Sequence, residues 1–103
     1  MKIVNKVEFD EIIKNGITLA DFYADWCGPC KMLSPVLEEL SEEYKDINFI
    51  KINCDNEMEL AERYGIMSIP AVFIFRNGDM IANTGGYRPK PDMKKFIDDA
   101  LNK

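Results

Sequence analysis

The chain contains no histidine, and its 103 residues include only three cysteines and a single tryptophan. So few cysteines cannot form the disulfide framework of a small secreted scaffold, and an odd count leaves at least one free thiol. Apolar runs are short as well. The opening MKIVNKVEFDE loses its apolar character after Val4, so it lacks the core of an export signal, and no later run approaches membrane-spanning length. A soluble, cytoplasmic protein is expected. Thirteen basic residues against 18 acidic ones give a net charge of −5, with no Lys/Arg cluster to grip phosphates. Nucleic acid and membrane are excluded as expected partners. Repeats, linkers and low-complexity stretches are missing too, and the length suits one domain over residues 1–103 with a single core.

Against that scarcity, two of the three cysteines stand within four positions, in DFYADWCGPCK. The flanking pattern locates them. Asn5 and Glu8 form a capping-box pair ahead of Val7, Phe9, Ile12 and Ile13, predicting a short helix that Gly16 ends. Ile17 to Ala24 is apolar on both alternating faces, which predicts a strand covered on both sides. Leu33, Val36, Leu37, Leu40 and Tyr44 recur at helical spacing from Gly28 onward, with Pro35 inside as an expected kink. A strand over Ile47 to Asn53 and a helix over Asn56 to Tyr64 follow, the latter closed by Gly65. Ala71 to Arg76, Asn77-Gly78 and Asp79 to Asn83 predict a hairpin, and Met93, Phe96, Ile97, Ala100 and Leu101 a closing helix. The fold class is therefore α/β with a mixed sheet.

Between a strand end and a helix start, Cys27 falls near an N-cap, where free amides and the helix dipole favour a thiolate. Pro29 then occupies a first-turn position where its missing N–H costs little, and the Cys30 amide is free to point at the Cys27 sulfur. This arrangement suits one thiol that attacks a disulfide and a second that resolves the mixed disulfide. A purely structural bridge or a zinc site suits the pair less well. A bridge over so short a loop removes little unfolded-state entropy, and zinc would need two more ligands where only Cys54 is on offer. Only a metal shared between chains would answer that objection.

Asp21 falls on the same strand alternation as Ile17, Leu19 and Tyr23, so neither face offers its charge a wet home. Burial would raise its pKa and let it take a proton from Cys30; exposure at an open strand end is the alternative. Lys51, in the apolar INFIKIN, is either an edge charge or Asp21's partner. Cys54 reads as a packed cysteine, and Met32, Met58, Met67, Met80 and Met93 mostly as core filler, with Met67 near enough to Pro70 to touch a partner.

Taken in order, DFYADWCGPCKMLSP, FIKIN, YGIMSIPAVFIFRNG and the Gly85-Gly86 pair make the chain resemble the thioredoxins over nearly its full length. The resemblance implies a five-stranded mixed sheet flanked by four helices. It implies a monomer that reduces protein disulfides through a reversible Cys27–Cys30 disulfide, with no bound cofactor, and that a flavoprotein thioredoxin reductase recharges. By the same resemblance Cys27 is the nucleophile, Cys30 the resolving thiol, Asp21 a buried acid and Lys51 its neighbour. Trp26, Gly28, Pro29, Ile69, Pro70 and Gly86 would form the docking patch, with a cis Ile69–Pro70 bond and Gly86 present for close approach. Three features depart from the pattern: Tyr23 where tryptophan or phenylalanine is usual, Gly85 in place of a β-branched residue, and a short segment before the first helix. A retuned oxidase or isomerase, and a binding module without redox chemistry, are the competing functions.

Overall fold

Apolar strands that must be covered on both faces dictate a layered arrangement, and a computed structural model, describing residues 1–103, has that form. The chain runs β1 (Lys2–Ile3), α1 (Lys6–Ile12), β2 (Ile17–Tyr23), α2 (Gly28–Glu43), β3 (Ile47–Asn53), α3 (Met58–Arg63), β4 (Ala71–Arg76), β5 (Asp79–Gly85) and α4 (Lys90–Leu101). Five strands form one sheet in the order β1-β3-β2-β4-β5. The β1/β3 and β2/β3 pairs are parallel; β2/β4 and β4/β5 are antiparallel.

Side chains from the two faces of the sheet build two apolar layers. Leu19, Phe49, Val72 and Ile74 pack with Leu33, Leu37 and Leu40 of α2 and Met93 and Ile97 of α4. On the other face Ala20, Phe22, Ile50, Ile52, Phe73 and Phe75 pack with Phe9 of α1 and Leu60 of α3. Phe9 makes edge-to-face contacts there with Phe22, Tyr64 and Phe75, the arrangement the ring quadrupoles favour.

Local signals set the boundaries. Asn5 caps α1 in a full capping box, its Oδ1 accepting from the Glu8 amide at 2.9 Å while Glu8 Oε1 accepts from the Asn5 amide at 3.1 Å. Asn77 and Gly78 both have positive φ, 49° and 90°, as a type I′ hairpin turn requires. The expected hairpin strand is longer than its apolar pattern suggested, with β5 running on to Gly85. Helix α1 stops at Ile12, earlier than Gly16, and α3 is trimmed to Met58–Arg63. Pro35 lies inside α2, which continues through it to Glu43.

Methionine is the main correction to the sequence reading. Met93 is fully buried, but Met32, Met58, Met67 and Met80 are exposed, Met67 at 98 %. A long flexible thioether packs inside or lies exposed with little local signal, so residue type misplaced these four, which sit on α2, on α3, in the loop before Pro70 and on β5.

Candidate active site

Strand β2 ends at Tyr23 and α2 begins at Gly28, so the intervening turn carries Cys27 onto the helix end. Cys27 is the N-cap of α2, and its sulfur accepts the Cys30 amide at 3.2 Å. Pro29 sits in the first turn, where no amide is missed. The two sulfurs are joined as a disulfide, with Cα atoms 5.3 Å apart, inside the ordinary span for such bonds. Both cysteines are only 4 % exposed and pack with Tyr23, Ala24 and Ile69.

Across from the helix end the Ile69–Pro70 peptide is cis, and the Ile69 carbonyl oxygen lies 3.7 Å from the Cys27 sulfur. The Gly86 amide donates to the Pro70 carbonyl at 2.8 Å, which ties the end of β5 to this loop. Gly86 has φ +80°, and a Cβ there would meet nothing within 4 Å. The positive φ alone favours glycine at this position, and no other part of this chain closely approaches where its Cβ would stand. It is Gly85 whose Cβ would touch the Pro70 carbonyl, at an ordinary 3.8 Å.

Trp26 is 71 % exposed beside the cysteines, and its indole N–H donates to Asp55 Oδ2 at 2.9 Å. Together with Cys54, Ile66, Met67 and Ile69 it lines an apolar groove of about 370 Å³. Cys54 is half-buried in the wall of that groove; burial, then the charges of Asp55 and Asp21, push its thiol up from the usual value. Asp55 was not among the residues the sequence singled out. Its position just after a strand end was the only available signal.

Asp21 is 1 % exposed and neither of its carboxyl oxygens has a hydrogen-bond partner. Of the two sequence readings, the buried one holds. Desolvation pushes its pKa up to about 7, opposed in part by the charge of Lys51. Lys51 stands opposite Asp21 in the parallel β2/β3 register, so both point to the α2 side of the sheet. Its ammonium does not pair with that carboxyl. It donates to Ser34 Oγ at 3.2 Å and lies 4.3 Å from the centre of the Tyr23 ring. Ser34, one turn after Cys30 on α2, also escaped the sequence reading.

No group of three or more His, Cys, Asp or Glu side chains is positioned to hold a metal ion, and no helix is long and apolar enough to cross a membrane. A helix-capping cysteine pair that closes to a disulfide, a facing cis-proline loop and a buried acid below it form a site whose reduced dithiol can pass two electrons to another disulfide. Comparison with known proteins agrees. The Thioredoxin family model matches residues 1–99. Thioredoxin from Bacillus subtilis is 40% identical over 94 residues, covering 90% of each chain, and thioredoxin from Mycoplasmoides gallisepticum is 41% identical over 96 residues, covering 92% of this chain and 96% of that one. Among solved structures, a Plasmodium falciparum thioredoxin superposes with a TM-score of 0.91 at 37% identity, covering 96% of this chain and 98% of that one. The oxidised form of mitochondrial thioredoxin 3 from Saccharomyces cerevisiae gives 0.86 at 33% identity, covering 95% and 94%. The chain belongs to the thioredoxin family, and it is a protein dithiol-disulfide oxidoreductase whose redox-active pair is Cys27 and Cys30.

Proposed function

We propose that residues 1–103 act as a single monomeric domain that reduces disulfides in cytoplasmic proteins and is recharged by a flavoprotein thioredoxin reductase. The observation that carries the division of labour is the amide hydrogen bond from Cys30 to the Cys27 sulfur at the end of a 16-residue helix. Once the pair is reduced, that bond and the helix dipole favour a thiolate at Cys27. The Cys27 thiolate attacks one sulfur of the substrate disulfide, the substrate S–S bond breaks, and the other substrate sulfur leaves as a thiolate. Asp21, as carboxylate, takes the proton from the Cys30 thiol, with Lys51 beside it. The new Cys30 thiolate attacks the Cys27 sulfur of the mixed disulfide and expels the second substrate thiolate. Two electrons have then moved to the substrate, and the Cys27–Cys30 disulfide remains.

Trp26, Gly28, Pro29, Ile69, Pro70 and Gly86 are the proposed docking patch. Its support is the exposure of Trp26 and the turn of the Ile69 carbonyl toward Cys27, which offers an acceptor to an extended substrate segment. The test uses Cys27→Ser and Cys30→Ser with a disulfide-bonded protein and the reductase. Both variants lose multiple turnover, and Cys30→Ser accumulates a mixed disulfide at Cys27. Turnover that survives Cys27→Ser refutes the mechanism.

A further inference from the structure

The position of Lys51 calls for an explanation, because a lysine in register with an unpartnered buried carboxylate would ordinarily move onto it. A buried carboxylate and a nearby half-buried ammonium attract strongly, and an ion pair would relieve part of the cost of burying the acid. Here the two oxygens of Asp21 remain without partners while the ammonium rests on a hydroxyl and a ring. A hydrogen bond to Ser34 and a cation–π contact with Tyr23 are individually modest, but together they compete with a pair that would have to form away from water.

We propose that Ser34 is a positioning residue for the dithiol chemistry: its hydroxyl, with the Tyr23 ring, holds the Lys51 ammonium beside the Asp21 carboxyl and off it, leaving that carboxyl free to gain and lose a proton. The proposal rests on the reading of Asp21 as the base for Cys30. An ammonium seated on Asp21 would fix the carboxylate in its charged form, which would be a weaker base for a thiol. An ammonium far away would leave the carboxyl protonated and unable to accept. The Ser34 rest sets the intermediate case.

A pocket adjoins the Lys51 and Ser34 side chains and reaches Cys30. It is lined by Tyr23 at the end of β2 and Asp25 just after it, by Cys30, Lys31, Ser34 and Glu38 on α2, and by Lys51 on β3. These are also the charged and titratable groups that surround the pair. Glu38 is engaged by the amino group of Met1 at 3.2 Å and does not hold Lys51. Strand β4 presents Val72 opposite Asp21 and adds no charge, and Cys54 lies near enough to feel the Asp21 charge.

The experiment follows the Asp21 carboxyl by carbon-13 NMR from pH 4 to 10 in the oxidised protein, for wild type, Ser34→Ala, Ser34→Thr, Lys51→Met and the Ser34→Ala/Lys51→Met pair. Ser34→Ala frees the ammonium to approach the carboxylate and lowers the Asp21 midpoint by about one pH unit. Ser34→Thr restores the wild-type midpoint, Lys51→Met raises it, and Ser34→Ala adds nothing when Lys51 is already gone. A midpoint unchanged or raised by Ser34→Ala, or an equal shift with and without Lys51, overturns the proposal. The pH profile of disulfide reduction in Asp21→Asn tests the underlying reading separately. A profile there identical to wild type removes Asp21 from proton transfer, whatever the NMR titration gives.

Discussion

Replacing Asp21 with asparagine should stabilise the oxidised protein in alkaline solution and leave it little changed in acid. The carboxyl is 1 % exposed with no hydrogen-bond partner, and burial carries its pKa from an ordinary 3.8 to about 7. Because the folded pKa lies above the unfolded one, the folded state holds the extra proton between those values. Stability is then full below about pH 4 and falls as pH rises through the folded pKa near 7. About three pH units at roughly 1.4 kcal/mol each give ~4 kcal/mol of destabilisation above pH 8, an upper figure for a carboxylate that water can partly reach on opening. Asparagine never ionises, so it escapes this cost. Urea unfolding of wild type and Asp21→Asn at pH 4, 6 and 8.5 measures it. The expected gain is near zero at pH 4 and grows to a few kcal/mol at pH 8.5. A difference that is flat with pH, or that falls as pH rises, would refute the assignment of a desolvated acid.

Two further outcomes follow from local contacts. Asn5→Ala removes half of the α1 capping box and should cost about 1 kcal/mol in urea unfolding, with Asn5→Ser restoring most of it; no loss would mean that the helix is held by packing alone. In a Cys27→Ser/Cys30→Ser background, Cys54 should react with iodoacetamide at pH 8 more slowly than free cysteine, because burial and the Asp55 and Asp21 charges oppose its thiolate. A rate equal to that of free cysteine would contradict this.

What could be read in advance followed the range of the forces involved. The Asn5–Glu8 capping box, the Cys27 cap with Pro29 behind it, and the Asn77-Gly78 turn each depend on residues within four positions, and each appears as expected. Strand β1 escaped the residue pattern because two residues, Lys2 and Ile3, define no period; it exists through its pairing with Ile50 and Lys51. Burial of Asp21 was half legible: alternation removed any wet face, but the absence of partners for its oxygens depends on where α2 and β4 come to rest. Ser34 and Asp55 are polar residues that little in their own neighbourhood distinguishes, and they matter through Lys51 and Trp26, 17 and 29 positions away. The cis Ile69–Pro70 bond came from family resemblance, since X-Pro bonds are mostly trans.

The reduction potential of the Cys27–Cys30 couple, found by equilibrating the protein with defined dithiol buffers and counting free thiols, tests the claim of a protein-disulfide reductant most directly. A potential near roughly −270 mV, a value known for thioredoxins as a class and carried over with the family, is expected. A potential between roughly −180 and −120 mV would make the pair a disulfide donor and contradict the direction of electron flow.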